Sequence, residues 1–228
     1  MLGSALITAG AVSARPSGPG DLIATGESIS ALATVGAAGV VTAAMVAGGI
    51  LRRTAAGEAF TDTFPTAQQI VDALKGNDPL AKIPDGSCFR FIYINGVAFA
   101  MTFAAGVGVV LGTDVNIAAS LVREYLVEIL NSTTGSTAVC NTTNANAIVT
   151  LQSPVPLGRI TPGQLVSGTG ITAGSVVSGV NLGDQTNRGG TDMIYRITLD
   201  QVGASVQTGV TLSFVPRVRF TGLRTGTA

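Results

Sequence analysis

The feature that most constrains the fold is a succession of short β-branched runs in the C-terminal half, divided by turn-forming residues. From Ala147 onward the runs are "AIVTLQS", "QLVSGTGI", "SVVSGVNL", "MIYRITLD" and "VTLSFVPRVRF", with Pro, Gly, Asn and Asp between them. β-Branched residues favour strands, whereas these four residue types favour turns. Such regular spacing is typical of a small antiparallel sandwich or barrel. The sequence therefore predicts a small β module over residues 145–222.

The glycine-rich stretch "GQLVSGTGITAGSVVSGV" at residues 163–180 has two interpretations, a phosphate-binding loop or a set of turns. Gly168, Gly170 and Gly174 miss the G-x-G-x-x-G spacing, and no lysine follows to complete a P-loop. The residues after Gly174 favour a strand, so no helix N-terminus is available to hold a phosphate. We therefore expect these glycines to supply positive-φ turn positions between short strands.

The clearest local signal in the N-terminal half is "FPTAQQIVDALKG". Thr66 and Gln69 form a capping box, the apolar residues follow at helical spacing, and Gly76 marks the end. The pattern predicts one short amphipathic helix over about residues 66–75 that covers a sheet and carries no chemistry.

The segment "SCFRFIYINGVAFAMTF" alternates as a strand does. Its alternate aromatic residues fall on one face: Phe89, Phe91 and Tyr93. Asn95 and Gly96 then predict a tight hairpin from which residues 97–103 return. The later segment 121–133 fits either a helix or a strand, and periodicity alone slightly favours the helix. Together these elements predict a first β module over residues 41–135.

The N-terminal region predicts an extended arm over residues 1–40. "ARPSGPGD" at residues 14–21 holds two prolines and two glycines, which oppose a helix. Residues 31–51 carry no charge and are long enough to span a bilayer. They consist mostly of alanine, glycine and threonine, which drive insertion weakly, and no basic segment opens a leader peptide. We expect neither a membrane span nor a signal peptide.

The chain contains no histidine, which removes the commonest general base and the usual imidazole metal ligand. Its 13 acidic residues are scattered singly. Asp184, Asp192 and Asp200 are spaced eight apart, which indicates one acid per loop rather than a metal site. We therefore predict no catalytic, cofactor-binding or metal-ligating residue, no cofactor, and no enzymatic activity.

The charge content indicates what kind of partner the chain meets. The formal net charge is zero and only 11% of residues are charged. No basic field is therefore present to attract nucleic acid or an anionic membrane. A surface with so little charge is poorly protected against self-association, and we expect protein partners to cover much of it. The polar stretch at residues 181–191 is expected to be an exposed loop, open to solvent or to a partner.

Cys88 and Cys140 form neither a disulfide framework nor a metal-spaced pair. They are expected to be small apolar fillers of strands, although a single bridge between them stays open. Asn131 and Asn141 each begin a glycosylation sequon. Chance matches to this motif are expected in a threonine-rich sequence, and the motif matters only if the chain is secreted.

Two groups of motifs resemble a module of virion proteins from tailed bacteriophages and large double-stranded DNA viruses. "GGILRRT" and "FPTAQQIVDAL" are similar to a "G-G-I/L-x-R-T" entry and an "L-P-T-A" helix start, with phenylalanine for leucine. "DGSCFRFIYIN" resembles "G-D-S-F-x-F-x-I-x-N" with its first residues permuted, and "AGVG" matches the following turn. The family continues with a strand ending in "N-x-T", which is why we predict a strand over residues 121–133.

The second half is similar to another repeated virion motif, in which "G-x-G-I-x-A-G-T-x-V" precedes "I-T-L-S". In total the resemblance covers about 160 of the 228 residues, and its motifs encode turns rather than a chemical site. No catalytic residue comes with the family, and the arm lies outside it.

The resemblance implies a non-enzymatic capsid decoration, cement or head-fibre protein, made in the host cytoplasm and located on the virion surface. The implied partners are the major capsid protein or other virion proteins and further copies of the chain, often three. A receptor- or glycan-binding module of a tail fibre is the alternative. The expected fold is mainly all-β, with two small antiparallel sandwich or barrel modules, one short helix and an N-terminal arm.

Overall fold

The computed structural model describes residues 28–32, 38–76, 81–113, 115–182 and 193–227. Strands account for 53% of the structure and helices for 8%, which confirms the mainly all-β class, and one of its several sheets curls into a half-barrel. The predicted arm at residues 1–40 is described only in part. Its described portions are not isolated from the fold, because they contain two strands that belong to sheets.

The strands in chain order are β1 (Ser28–Leu32), β2 (Gly39–Val40), β3 (Gly49–Arg53), β4 (Phe60–Thr63), β5 (Cys88–Asn95), β6 (Met101–Ala104), β7 (Val109–Leu111), β8 (Asn116–Ile117), β9 (Leu121–Asn131), β10 (Ser136–Thr142), β11 (Ile148–Pro156), β12 (Leu165–Ser167), β13 (Val177–Leu182), β14 (Met193–Leu199), β15 (Gln207–Val215) and β16 (Arg217–Thr227). The helices are α1 (Ala43–Ala47) and α2 (Ala67–Lys75).

These strands form three sheets. The first sheet has the order β1-β3-β5-β9-β16-β7, the second β2-β4-β6-β8, and the third β12-β15-β10-β11-β14-β13. The third sheet is antiparallel throughout, as predicted. The first two sheets also contain parallel pairs, such as β3 with β5 and β4 with β6. Parallel neighbours need a crossover connection, and the chain between β3 and β5 supplies one through β4 and α2.

Helix α2 confirms the sequence interpretation in detail. The hydroxyl of Thr66 accepts a hydrogen bond from the backbone N–H of Gln69, whose side-chain oxygen accepts one from the Thr66 backbone. Gly76, in a positive-φ conformation, ends the helix. The described residues contain a second, shorter helix, α1, which the sequence did not predict and which Thr42 caps. No helix in the described parts of the chain is long and apolar enough to cross a membrane.

The strand predicted over residues 121–133 is confirmed as β9. It lies between β5 and β16 in the first sheet, and its inward residues Tyr125, Val127 and Ile129 are buried. The residues between them are half-buried on the opposite face. Because both faces of this central strand carry apolar residues, its sequence also satisfies a helical period.

The predicted hairpin at Asn95 and Gly96 is wrong. Strand β5 belongs to the first sheet and β6 to the second, so the chain passes between sheets instead of turning back on itself. The Asn95 side chain is buried, and its Nδ2 donates to the carbonyls of Phe99 and Ala118 at 2.9 Å and of Ile117 at 3.4 Å. Asn95 therefore anchors the crossing segment to the loop after β8.

Two hydrophobic clusters define the modules. One contains buried residues from 41–129 together with Val218 and Phe220, and the other contains buried residues from 138–214. The second module is thus inserted between β9 and β16, whereas the sequence assigned residues 145–222 to it as a continuous block. Strand β10 lies before the predicted boundary, and β16 returns to the first sheet. Pro216 separates β15 from β16 and cannot donate to a ladder, so the chain changes sheets there.

The glycine-rich stretch consists of turns, as predicted. Gly163, Gly168, Gly170 and Gly174 all have a positive φ, between 83° and 148°. They lie around β12 and before β13, and short turns connect them. L-residues rarely adopt this conformation, so glycine is required for the chain to change direction at these points.

Candidate functional site

A buried polar cluster joins the first sheet to the second. Arg53 on β3 places Nη1 3.0 Å from Oδ1 of Asp62 on β4, and Tyr93 on β5 donates its hydroxyl to Asp62 Oδ2 at 2.8 Å. All three residues are buried, and Arg53 stacks over Phe60 with its guanidinium carbon 4.3 Å from the ring centroid. Arg53 also donates from Nε to the carbonyl of Ala55 at 2.8 Å.

The titration of this cluster follows from its burial. Loss of water raises the pKa of Asp62, against the opposing effects of the Tyr93 hydrogen bond and the Arg53 charge. Burial also raises the pKa of Tyr93, and the Asp62 charge adds to the rise. The cluster's groups are engaged with one another and inaccessible to a ligand. Its role is to fix the relative position of two sheets.

A second charged array lies on the outer face of the first sheet. Glu124 on β9 binds Arg90 on β5, with Nε 2.6 Å from Oε1, and also Arg224 on β16. Beside it, Glu128 binds Arg219 of β16, with Nε 3.1 Å from Oε2. Each pair spans neighbouring strands, so the array ties β5, β9 and β16 together.

The electrostatics of this array depend on Glu124. Burial alone would raise the pKa of the Glu124 carboxyl, but the hydrogen bonds and charges of Arg224 and Arg90 outweigh it and hold the pKa below its usual value. A shallow cavity of about 360 Å³ lies beside this carboxylate. Both carboxylate oxygens of Glu124 are already bonded to arginines, which leaves it unsuited to act as a base.

A cleft lies between the two modules, and we call it the inter-module cleft. It has a volume of about 700 Å³. Lys75 and Lys82 line it from the first module, and Arg159 lines it from the second. These are the only two lysines in the sequence. Asp85 is the one acidic residue among the described lining residues.

The outer face of the third sheet is almost free of charge. Strands β10, β11 and β15 alternate between buried and more exposed residues, and the outward positions hold only neutral side chains. They are Thr137, Val139, Asn141, Ile148, Thr150, Gln152, Thr211 and Ser213. Arg196 on β14 lies opposite Thr150 in the strand register and is a charged residue next to these neutral positions. We call this surface the neutral face.

The acidic residues considered from sequence do not form a site among the described residues. Asp200 accepts a 2.6 Å hydrogen bond from the backbone N–H of Val176 and so fixes a turn. Asp184 and Asp192 lie outside the described residues, as does nearly all of the predicted loop at 181–191, whose first two residues end β13. In the part of the chain that the structure describes, no group of three or more acidic or cysteine side chains could hold a metal ion. The absence of enzymatic activity stays a prediction.

The cysteines and sequon asparagines have structural positions. Cys88 and Cys140 are free thiols on β5 and β10, and burial raises the pKa of Cys140 to about 11. Asn131 is buried and donates from Nδ2 to Thr161 Oγ1 and to the Pro162 carbonyl, both at 2.9 Å. Asn141 accepts a hydrogen bond from Gln152 at 3.0 Å across neighbouring strands. Both amides therefore serve the fold.

The sequence matches no protein-family model and no curated protein. The resemblance to virion proteins, which the turn motifs suggested, therefore stays a prediction. Sequence reasoning did not identify the buried cluster or the inter-module cleft, because residues that are distant in the chain form both. The sequence did contain one signal for the cleft. The chain has only two lysines, and they lie seven residues apart.

Proposed function

We propose that the protein is a non-enzymatic virion structural protein that decorates or cements the outer surface of a viral capsid. Its partners would be the major capsid protein or other virion proteins, together with further copies of itself in a trimer. The proposal combines the family resemblance with the surface and packing described above. It assigns no catalytic residue and no cofactor.

The observation that carries the proposal is the neutral face of the third sheet. A protein interface is depleted of charged residues at its core, because burying an unpaired charge costs free energy. The neutral face offers several strands of threonine, valine, isoleucine and amide side chains. Val139 and Ile148 on it are 42% and 39% exposed, although they are aliphatic. Such a surface suits packing against a lattice better than it suits turnover of a substrate.

The junction between the modules also supports a mechanical role. Asn131 at the end of β9 binds Thr161 and Pro162 in the second module. Gln68 on α2 accepts a 2.7 Å hydrogen bond from the backbone N–H of Gly135. These bonds resist hinge motion between the modules, as a cement protein requires.

Glycan recognition on a tail fibre has less support. Aromatic side chains that stack on sugars must be exposed. Among the described aromatic residues, Phe99 and Tyr195 are the large exposed ones, at 37% and 39%. They belong to different modules, since Phe99 precedes β6 and Tyr195 lies on β14. A glycan array in which the protein retains a defined sugar would favour the fibre function instead.

The proposal is tested by co-sedimentation of the purified protein with capsids that lack it. Introducing a charge on the neutral face by Val139→Glu or Thr137→Glu should abolish co-sedimentation. Thr61→Glu, at an exposed position on β4, is the matched control and should bind normally. Normal binding by both neutral-face variants would exclude this face as the contact.

The N-terminal arm has a separate test. A chain that lacks residues 1–27 keeps every described element, whereas removal of the whole segment 1–40 would also delete β1 and β2. We expect the shorter deletion to fold and to lose particle binding, because arms that fold on binding cover large areas. Undiminished binding would remove the arm from the attachment mechanism.

A further inference from the structure

We propose that the inter-module cleft binds a short acidic segment of a partner protein. This inference concerns a different surface from the neutral face and does not depend on the virion role. It assigns a ligand class to a cavity for which the sequence predicts no site.

The cations of the cleft come from three separate parts of the chain. Lys75 lies in the last turn of α2, Lys82 precedes β5, and Arg159 lies in the turn between β11 and β12. The sequence carries only 13 lysines and arginines among 228 residues, so the convergence of three cations on one cavity is a local concentration of positive charge. The three cations outnumber Asp85, the one acidic residue among the described lining residues, and such an excess of positive charge attracts negative ligands.

Most of this positive charge is free to meet a ligand. Lys82 and Arg159 are exposed and form no ion pair within the described residues. Lys75 makes one long contact, with Nζ 3.7 Å from Oδ1 of Asp72. The Asp85 carboxylate is held by the backbone N–H of Ser132, which donates to Oδ1 at 2.8 Å. A carboxylate ligand would therefore meet cations that the fold has not neutralised.

The size and lining of the cleft favour a peptide over a bare anion. Its volume of about 700 Å³ lies in the range of about 300–1,000 Å³ that ligand pockets occupy. Ile83 and Pro84 contribute apolar groups to the lining, whereas Thr134 and Gly135 contribute polar ones. Arginine binds carboxylates in a bidentate geometry, and lysines add point charges around it. Two carboxylates that flank one apolar side chain match this arrangement.

The two lysines allow a direct measurement of binding. Reductive methylation with isotope-labelled formaldehyde preserves their charge and labels only these side chains and the amino terminus. We would titrate the labelled full-length protein with a capped glutamate–leucine–glutamate tripeptide and follow the methyl signals by NMR. We expect both lysine signals to shift in a saturable way. A glutamine–leucine–glutamine tripeptide should leave them unchanged.

Charge-removing variants locate the site. Lys82→Gln with Arg159→Gln should weaken tripeptide binding about tenfold, because two charge-assisted contacts are lost. Arg196→Gln removes an exposed cation from the third sheet and should bind as the unmodified protein does. Thermal melting of each variant checks folding, and these side chains are exposed. Raising the salt from about 0.1 M to about 1 M should also weaken binding.

Any one of four results would overturn the proposal. One is a titration of the methylated protein without substitutions in which neither lysine signal moves. Another is equal binding of the acidic and the neutral tripeptide. The third is equal binding by the double variant and by the protein without substitutions, both methylated. Inorganic phosphate that shifts the signals at lower concentration than the tripeptide would contradict the ligand class and assign a small-anion site instead.

Discussion

The hydroxyl of Tyr93 donates a 2.8 Å hydrogen bond to Oδ2 of Asp62, and this bond connects β5 of the first sheet to β4 of the second. The other carboxylate oxygen of Asp62 binds Arg53 on β3. The three side chains are buried, so the hydrogen bonds among them replace those that each would make with water in the unfolded chain. This cluster makes the contact between the two sheets specific rather than merely apolar.

Removing one partner of the cluster should destabilise the first module. Tyr93→Phe keeps the ring but leaves Asp62 without one hydrogen bond, which should cost about 2 kcal/mol since the acceptor is charged and buried. Urea unfolding measures this change. Tyr195→Phe, at an exposed position on β14, is the control and should leave the free energy of unfolding nearly unchanged. Equal stability of the two variants would refute the structural role of the cluster.

The final strand belongs to the first module, and truncation should reveal this. A chain that ends at Pro216 loses β16, which lies between β9 and β7 and contributes the buried Val218 and Phe220 to the first core. We expect the first module to become sensitive to protease while the second, whose core lies within residues 138–214, remains resistant. Limited proteolysis with mass spectrometry identifies the resistant fragment. A chain that ends at Arg224 should keep both modules resistant, and a protected first module without β16 would contradict the topology.

Gly108 occupies a position that admits no side chain. Its φ is +79°, and a Cβ there would lie 2.3 Å from the Pro216 carbonyl oxygen and 2.9 Å from the Cβ of Ala67. Gly108→Ala should destabilise the protein by about 3 kcal/mol, because left-handed strain and overpacking add together. Gly57→Ala has open space around its Cβ and no positive φ, so it should be nearly neutral. Differential scanning calorimetry compares the two variants, and similar melting temperatures would count against the close packing at Gly108.

The array on the first sheet should make stability depend on pH in acid. Glu124 has a folded-state pKa below the ordinary value of 4.5, so its carboxylate stabilises the fold above that pH and loses the effect as the pH falls through the lowered value. Glu124→Gln should cost about 1 kcal/mol or less at neutral pH, since solvent screens ion pairs whose cations are exposed. Arg90 and Arg224 are mostly exposed. The difference from the unmodified protein should vanish in acid.

Denaturant unfolding over a series of pH values measures this difference. Glu58→Gln replaces an exposed carboxylate that forms no ion pair with the described residues, and it serves as the control. A deficit of Glu124→Gln that stays constant from neutral to acidic pH would show that the arginine pairs do not act through the charge of Glu124.

The features that were predictable from sequence are local ones. The capping box of Thr66 and Gln69 involves residues three apart, and the glycine turns around β12 depend on the φ of single residues. The alternation that buries Phe89, Phe91 and Tyr93 requires only the pleat of one strand. The physical cause of each feature lies in residues that are close together in the sequence, so no distant partner has to be known.

The features that could not be predicted depend on contacts between distant segments. Asn95 and Gly96 have the composition of a hairpin turn, but the carbonyls of residues 99, 117 and 118 hold Asn95 in a crossing between sheets. Strand β16 reads as a continuation of the second module, yet it pairs with β9, which lies far earlier in the chain. The inter-module cleft exists only after both modules have docked. Periodicity and turn composition contain no information about such pairings.

The central claim, that this chain is a non-enzymatic component of a capsid surface, is tested most directly by electron microscopy of purified particles with and without the protein. We predict added density on the outside of the head, arranged in trimers and able to accommodate both modules, and its disappearance from particles that lack the protein. Identical maps in the two cases, or density confined to the tail, would contradict the claim.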